Sequence, residues 1–212
     1  VAEMTDWHEW HTSYADDTSA LSRRLRLVQR HIGDWLDERP ESWLRVVSVC
    51  AGQGDDLVGV VARRLDAYRV HATLIEKDPR NVAAARERTA TAGLDGITVM
   101  CADAGDFAAY RTAVPADLVL LVGVLGNISD QDVRATIALL PRLCAPGATV
   151  VWTRTRRDPD LTPAVRRWFA EVGFTERAFD APPDALFSVG VHLFHGQPES
   201  PPASGRIFTF VR

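Results

Sequence analysis

Apolar positions change their period repeatedly along this chain. From Thr18 onward Leu21, Leu25, Val28, Ile32, Trp35 and Leu36 recur every three or four positions, the spacing of one helix face. Thr18 or Ser19 is placed to cap that helix, and Arg39-Pro40 ends it because the residue before proline is pushed out of the α region. Thereafter short apolar runs alternate with helical spacing. The runs at 44–50, 70–76, 97–101, 117–122 and 149–155 predict five strands. Helices are predicted between and after them at about 55–66, 79–91, 106–111, 129–143 and 162–171, the first with Leu57, Val60, Val61 and Leu65 inward. Such alternation with short connections predicts an α/β fold, a doubly wound, mostly parallel sheet covered on both faces. The tail breaks the rhythm. Residues 174–179 and 206–212 read as strands on either side of the proline-rich 197–204, while 186–194 suits a strand or a short helix equally. The short connections there predict an antiparallel pair at one edge of the sheet.

The first twenty residues stand outside this repeat. Trp7, Trp10, His11 and Tyr14 share one helical face, with His8 beside them. The division that follows is an N-terminal helical extension at 1–40 and a core at 41–212. The extension reads either as a helix laid over the core or as a lid, since aromatic groups on a mobile cover exclude water and grip flat or cationic ligands.

Composition narrows the classes. With 212 residues and 46% apolar content the chain can bury one sizeable core plus an extension. A net charge of −4 without long runs of one sign argues against nucleic acid or a membrane surface as partner. No apolar stretch approaches the roughly 18 residues of a membrane span, and the N-terminus lacks an apolar signal core. Cys50, Cys101 and Cys144 have no metal-ligand spacing; their apolar neighbours predict buried thiols in a reducing cytoplasm and no metal site. A monomer or a homodimer fits these limits.

An open parallel sheet binds its ligand beyond the carboxyl ends of the strands. The first predicted strand runs into Cys50-Ala51-Gly52-Gln53-Gly54, where small residues let backbone N–H groups approach a ligand. The second ends at Glu76, whose carboxylate can accept from ribose hydroxyls at roughly 1.5–3 kcal/mol for each bond to the charged group. The third ends at Cys101-Ala102-Asp103, where a carboxylate can accept from the exocyclic amine of adenine.

That order of glycine turn, acid and acid resembles a class I S-adenosylmethionine-dependent methyltransferase. Leu143-Cys144-Ala145-Pro146-Gly147 is similar to the family's leucine-x-x-proline-glycine turn into its fifth strand. The resemblance spans about 44–155 and implies a seven-stranded Rossmann-like sheet, with 174–179 and 206–212 as sixth and seventh strands. It implies S-adenosylmethionine as cofactor and S-adenosylhomocysteine as product. Cys50, Ala51, Gly52 and Gly54 would line the methionine part, Glu76 with Lys77 the ribose, Asp103 with Ala104 the adenine, and Gly123 the loop after the fourth strand. The chain departs from the family by having Ser48 and Cys50-Ala51 where an acid and a further glycine are usual; Asp55 or a backbone carbonyl could stand in for that acid. A dinucleotide fingerprint would need a third glycine where this chain has Leu57. A fold that binds the nucleoside without catalysis is the other alternative.

Methyl transfer from a sulfonium depends mainly on positioning, with a base needed only for an acceptor that holds its proton. Candidates are His8, His11, Tyr14 and His192, with Asn127 to orient the cofactor or acceptor and Arg154 to meet an anionic one. Ser129 with Asp132 reads as the cap of the following helix. The loop at 123–130 lacks the Asn/Asp-Pro-Pro-aromatic motif of base-modifying enzymes, so the expected acceptor is a small molecule.

Overall fold

The computed structural model of the protein describes residues 19–200 and 204–211. Its elements follow the sequence: α1 Ala20–Glu38, β1 Leu44–Val49, α2 Val58–Val61, β2 Val70–Glu76, α3 Pro79–Thr91, β3 Ile97–Cys101, β4 Ala116–Leu121, α4 Asp130–Leu139, β5 Cys144–Thr155, α5 Thr162–Glu171, β6 Phe174–Asp180 and β7 Phe187–Phe194. The strands form one seven-stranded sheet in the order β3-β2-β1-β4-β5-β7-β6, parallel except at β7. Order reverses between β1 and β4, and the carboxyl ends of these strands are where open α/β sheets hold their ligands.

The central strands read as continuous apolar runs because both faces are covered. Period-two alternation divides their side chains. Val46, Leu74, Leu118 and Leu120 join one core with Val28, Ile32 and Leu36 of α1. Val47, Val119 and Leu121 join the other with Val133 and Ile137 of α4 and Phe169 of α5. Fully burying such a side chain contributes about 1.5–3 kcal/mol, so the two cores dominate folding.

Capping sets several boundaries. Ser19 accepts from Ser22 N–H and starts α1; Asp78 starts α3, with Pro79 at its first position. Ser129 accepts from Asp132 N–H at 3.1 Å and starts α4. The helix expected to reach residue 143 ends at Leu139 and tightens into a 3-10 turn over Leu140–Arg142, where Pro141 supplies no donor. Pro146-Gly147 lies inside β5, with Gly147 at φ 73° and a register shift against β4.

Three expectations need correction. The helix after β1 is a four-residue turn, not 55–66; its Gly59 packs under Gln29 of α1, and Leu65, expected inward, is fully exposed. The seventh strand is Phe187–Phe194, which pairs antiparallel with both β5 and β6. Residues 206–211 make only isolated bridges, Arg206 with Asp106 and Phe210 with Ile128. β7 already fills the place beside β5, so the tail crosses the sheet's carboxyl edge as a strap. Of the cysteines only Cys144 is buried; Cys50 is half-buried, and Cys101 is exposed because β3 is an edge strand.

Candidate functional site

The turn after β1 depends on left-handed backbone. Cys50, Gly52 and Gly54 have φ of 55°, 56° and 77°. For a non-glycine residue this conformation costs roughly 1–2 kcal/mol, which Cys50 bears where glycine would not. Ala51 donates to the Ile75 carbonyl and accepts from Gly54 N–H, both at 2.9 Å, closing the turn against β2. A Cβ on Gly54 would lie 2.9 Å from Leu74 Cδ2 and 3.0 Å from Val58 Cγ2, so this glycine serves close packing beneath the turn. The Cys50 thiol is held well above its ordinary pKa by burial first, then by the Glu76 and Asp103 carboxylates, and stays protonated.

Glu76 ends β2 and is buried. Its Oε2 accepts from Gly52 N–H at 2.8 Å, and its Oε1 from Lys77 and Asp78 N–H at 2.9 and 2.7 Å. A carboxylate offers roughly four acceptor positions, so one remains, on Oε2. Asp103, just beyond β3, repeats the arrangement. Its Oδ1 accepts from Gly105 N–H at 2.8 Å, and its Oδ2 from Lys77 Nζ and Arg206 Nη1, each at 3.1 Å. One position remains on Oδ1. Burial alone would raise the Asp103 pKa, but the Gly105 amide, Lys77 and Arg206 outweigh it and hold the carboxyl below its ordinary range. Ala104 is buried and gives its carbonyl to Tyr110 Oη–H at 2.7 Å.

The loop after β4 is propped from β5. Gly123 has φ 77°, donates to Thr153 Oγ1 at 2.8 Å, and has open space where a side chain would project. Asn127 Nδ2 donates to the Gly123 carbonyl at 2.6 Å, closing the loop on itself. Arg154 donates to the Leu125 carbonyl and, at 3.1 Å, to Asp130 Oδ1. Both side chains expected to meet an acceptor therefore hold the loop's shape.

Asp55 pairs with Arg88 of α3, which also reaches Gln53, so its carboxylate braces the turn from outside. His8, His11 and Tyr14 lie outside the described residues. Tyr110, Thr153 and Arg206 were not anticipated. Arg206 stands 103 positions from Asp103 and carries no local signal, whereas Tyr110 sits at helical spacing after β3 and could have been suspected. Among the described residues, no group of three or more His, Cys, Asp or Glu side chains could hold a metal ion.

His192 is removed from the list of bases. It is buried on β7 opposite Val150, stacks on Phe169 and accepts from Trp152 Nε1–H at 3.0 Å through Nδ1. Burial, opposed by Glu176 and aided by Arg166, lowers its pKa from 6.5 to about 4. The unfolded chain therefore takes a proton in this window that the folded chain refuses. Stability from this group is complete above pH 6.5 and lost as pH falls toward 4. Urea midpoints of the native chain should decline across that window more steeply than those of His192→Asn; parallel declines would show that the ring is not held neutral.

Residues 46–147 match the model of a methyltransferase domain family. No curated protein matches the sequence. Among solved structures, the chain is similar to magnesium protoporphyrin IX methyltransferase from Synechocystis with bound S-adenosylhomocysteine, at 14% identity and TM-score 0.64 over 87% of this chain and 92% of that one. It is similar to an O-methyltransferase family protein from Burkholderia thailandensis, at 17% identity and TM-score 0.58 over 89% and 63%. A methyltransferase from Pyrococcus furiosus gives 11% identity and TM-score 0.56 over 80% and 82%. At these identities the structures show a shared fold.

Proposed function

From the premise that this chain is a class I S-adenosylmethionine-dependent methyltransferase, with the methyltransferase domain over 46–147, we propose that its acceptor is a small molecule and that Glu76 and Asp103 hold the nucleoside of the cofactor. The observation that carries the site is the pair of carboxylates at adjacent strand ends, each with one acceptor position left by its protein donors. Ribose hydroxyls and the adenine amine are donors, so the chemistry of the set fits. When bound, the cofactor supplies an electrophilic methyl on sulfur. The chain's own work is orientation: the 50–54 turn supports the methionine part, and the loop at 123–127, fixed by Thr153 and Arg154, sets the acceptor's approach.

The missing family acid has no side-chain substitute in Asp55, which is committed to Arg88. The methionine amino group is left to backbone carbonyls. None of His31, His71, His192 and His195 lies on the loops at 50–54, 76–78, 102–105 or 122–128. His8, His11 and Tyr14 are thus the proposed proton acceptors, for substrates that need one. The net charge of −4 and the loop without a base-binding motif support a small acceptor over nucleic acid. Three free thiols support a cytoplasmic setting, and no helix among the described residues is long and apolar enough to cross a membrane.

Thermal melting with S-adenosylmethionine, S-adenosylhomocysteine and NAD in parallel tests the cofactor side. At about 100 times Kd, linkage adds roughly 2.7 kcal/mol, a rise of several degrees at this chain length. A rise with NAD and none with the sulfur pair would refute the assignment. Labelled-methyl transfer to fractionated metabolites then identifies the acceptor; label appearing only in RNA or protein would remove the small-molecule reading.

A further inference from the structure

The strap at 204–211 joins the two loops that the proposed reaction uses. On the Asp103 side, Phe107 N–H donates to the Gly205 carbonyl at 2.8 Å and Ile207 N–H to the Gly105 carbonyl at 2.7 Å. That is the reciprocal pair of an antiparallel bridge, centred on Asp106 and Arg206. Gly105 permits the approach, since a Cβ there would lie 2.4 Å from the Phe208 carbonyl oxygen. Ile207 and Phe208 are buried in the core beneath. On the acceptor side, Thr209 N–H donates to Asp132 Oδ2 at 3.2 Å and Val211 N–H to the Asn127 carbonyl at 2.9 Å. The strap is thus fastened at both ends and in the middle.

We propose that this strap is a working part of the cofactor site, with Arg206 as a positioning residue that sets the Asp103 carboxylate toward the adenine amine. The inference rests on the reading that Asp103 holds adenine. Asp103 is otherwise restrained by one backbone amide and by Lys77, whose exposed side chain is a loose tether. Arg206 is delivered by a backbone bridge and acts on Oδ2, leaving the open position on Oδ1 in a defined direction. Removing it frees the carboxylate to rotate and withdraws one of the two cations that keep it ionised. Because the same segment holds Asn127 and Asp132, the adenine loop and the acceptor loop are parts of one braced unit.

Calorimetry with S-adenosylhomocysteine on the full chain tests this with Arg206→Ala, Arg206→Lys, Asp103→Ala and the double Ala variant. Arg206→Ala should weaken binding about threefold, as befits a half-exposed pair, and Arg206→Lys should restore most of it. On the Asp103→Ala background the Arg206 substitution should cost nothing more, since its effect passes through Asp103. Losses that add, or wild-type binding by Arg206→Ala, would overturn the proposal. An Asp103→Ala variant that binds normally would instead remove the adenine assignment, and the strap's role with it. Weakened Asp103→Ala beside unaltered Arg206→Ala would leave adenine at Asp103 and discharge the strap. A second readout separates positioning from general loosening: in Arg206→Ala the acid limb of binding should move to higher pH, because a carboxylate with one cation fewer takes its proton sooner. An unmoved limb counts against the proposal. Melting of each ligand-free variant checks that the fold persists.

Discussion

Replacing Glu76 by alanine should weaken S-adenosylhomocysteine binding by at least about 100-fold and lower stability by about 2–4 kcal/mol. Two effects meet in this one side chain. Its carboxylate is the acceptor for three backbone N–H groups, and the Gly52 bond is buried where water cannot replace it. Hydrogen bonds to a charged group are worth about 1.5–3 kcal/mol each, but Lys77 and Asp78 sit nearer the surface and recover part of their loss from water. The left-handed Gly52 would then lose the side-chain acceptor that ties it to β2, and the turn would lose its fixed shape. With ribose held at Glu76 as proposed, binding suffers twice, from the absent acceptor and from the loosened turn. Glu76→Gln separates the two: it retains one oxygen for the backbone and should recover part of the stability while affinity stays low. Urea unfolding and calorimetry decide the matter. Native affinity in Glu76→Ala would show that ribose is held elsewhere.

The α/β alternation was legible because a parallel sheet covered on both faces makes strands read as near-continuous apolar runs, as in Val46-Val47-Ser48-Val49 and Leu118-Val119-Leu120-Leu121. Strand-end acids were legible for a related reason. A carboxylate directly after an apolar run, as at Glu76 and Asp103, must emerge at the sheet's carboxyl edge. What the sequence concealed was which donors these acids already serve. The Gly52 amide reaches Glu76 across 24 positions and Arg206 reaches Asp103 across 103, and neither spacing has a local pattern. The hydrogen bonds of Asn127 and Arg154 within their loop were hidden in the same way. Each lies where an acceptor loop is expected, and only the fold shows Asn127 Nδ2 donating to the Gly123 carbonyl and Arg154 donating to the Leu125 carbonyl and Asp130. The seventh strand was misplaced because Ile207-Phe208-Thr209-Phe210-Val211 consists of strand-favouring residues, while Phe187–Phe194, although Phe187, Val189, Val191 and Leu193 alternate with Ser188, Gly190 and His192, is interrupted by Gly190, a weak strand former.

The strap's apolar side chains have a different use, and that gives the other large expectation. Phe208→Ala should lower stability by about 3–5 kcal/mol, the cost of emptying a buried phenylalanine site, and lower Tm by roughly 10 °C in a chain of this length. Phe208 is 2% exposed, packs in the same core as Phe107 and Ala104, and meets Phe210 edge-on at 5.8 Å between centroids. Its loss leaves a cavity directly under the loop that carries Asp103, and the Gly105 and Phe107 backbone bonds to the strap lose the anchor that holds them in register. Affinity for S-adenosylhomocysteine should therefore fall along with stability, although Phe208 offers no polar group to a ligand. Val211→Ala is the internal control. It alters the same strap at a side chain 60% exposed and should change Tm within error. Equal melting of the two variants would mean that the strap is surface covering, detached from the cooperative core. A large fall in Phe208→Ala alone would mean that the strap is folded as one unit with the loops it crosses.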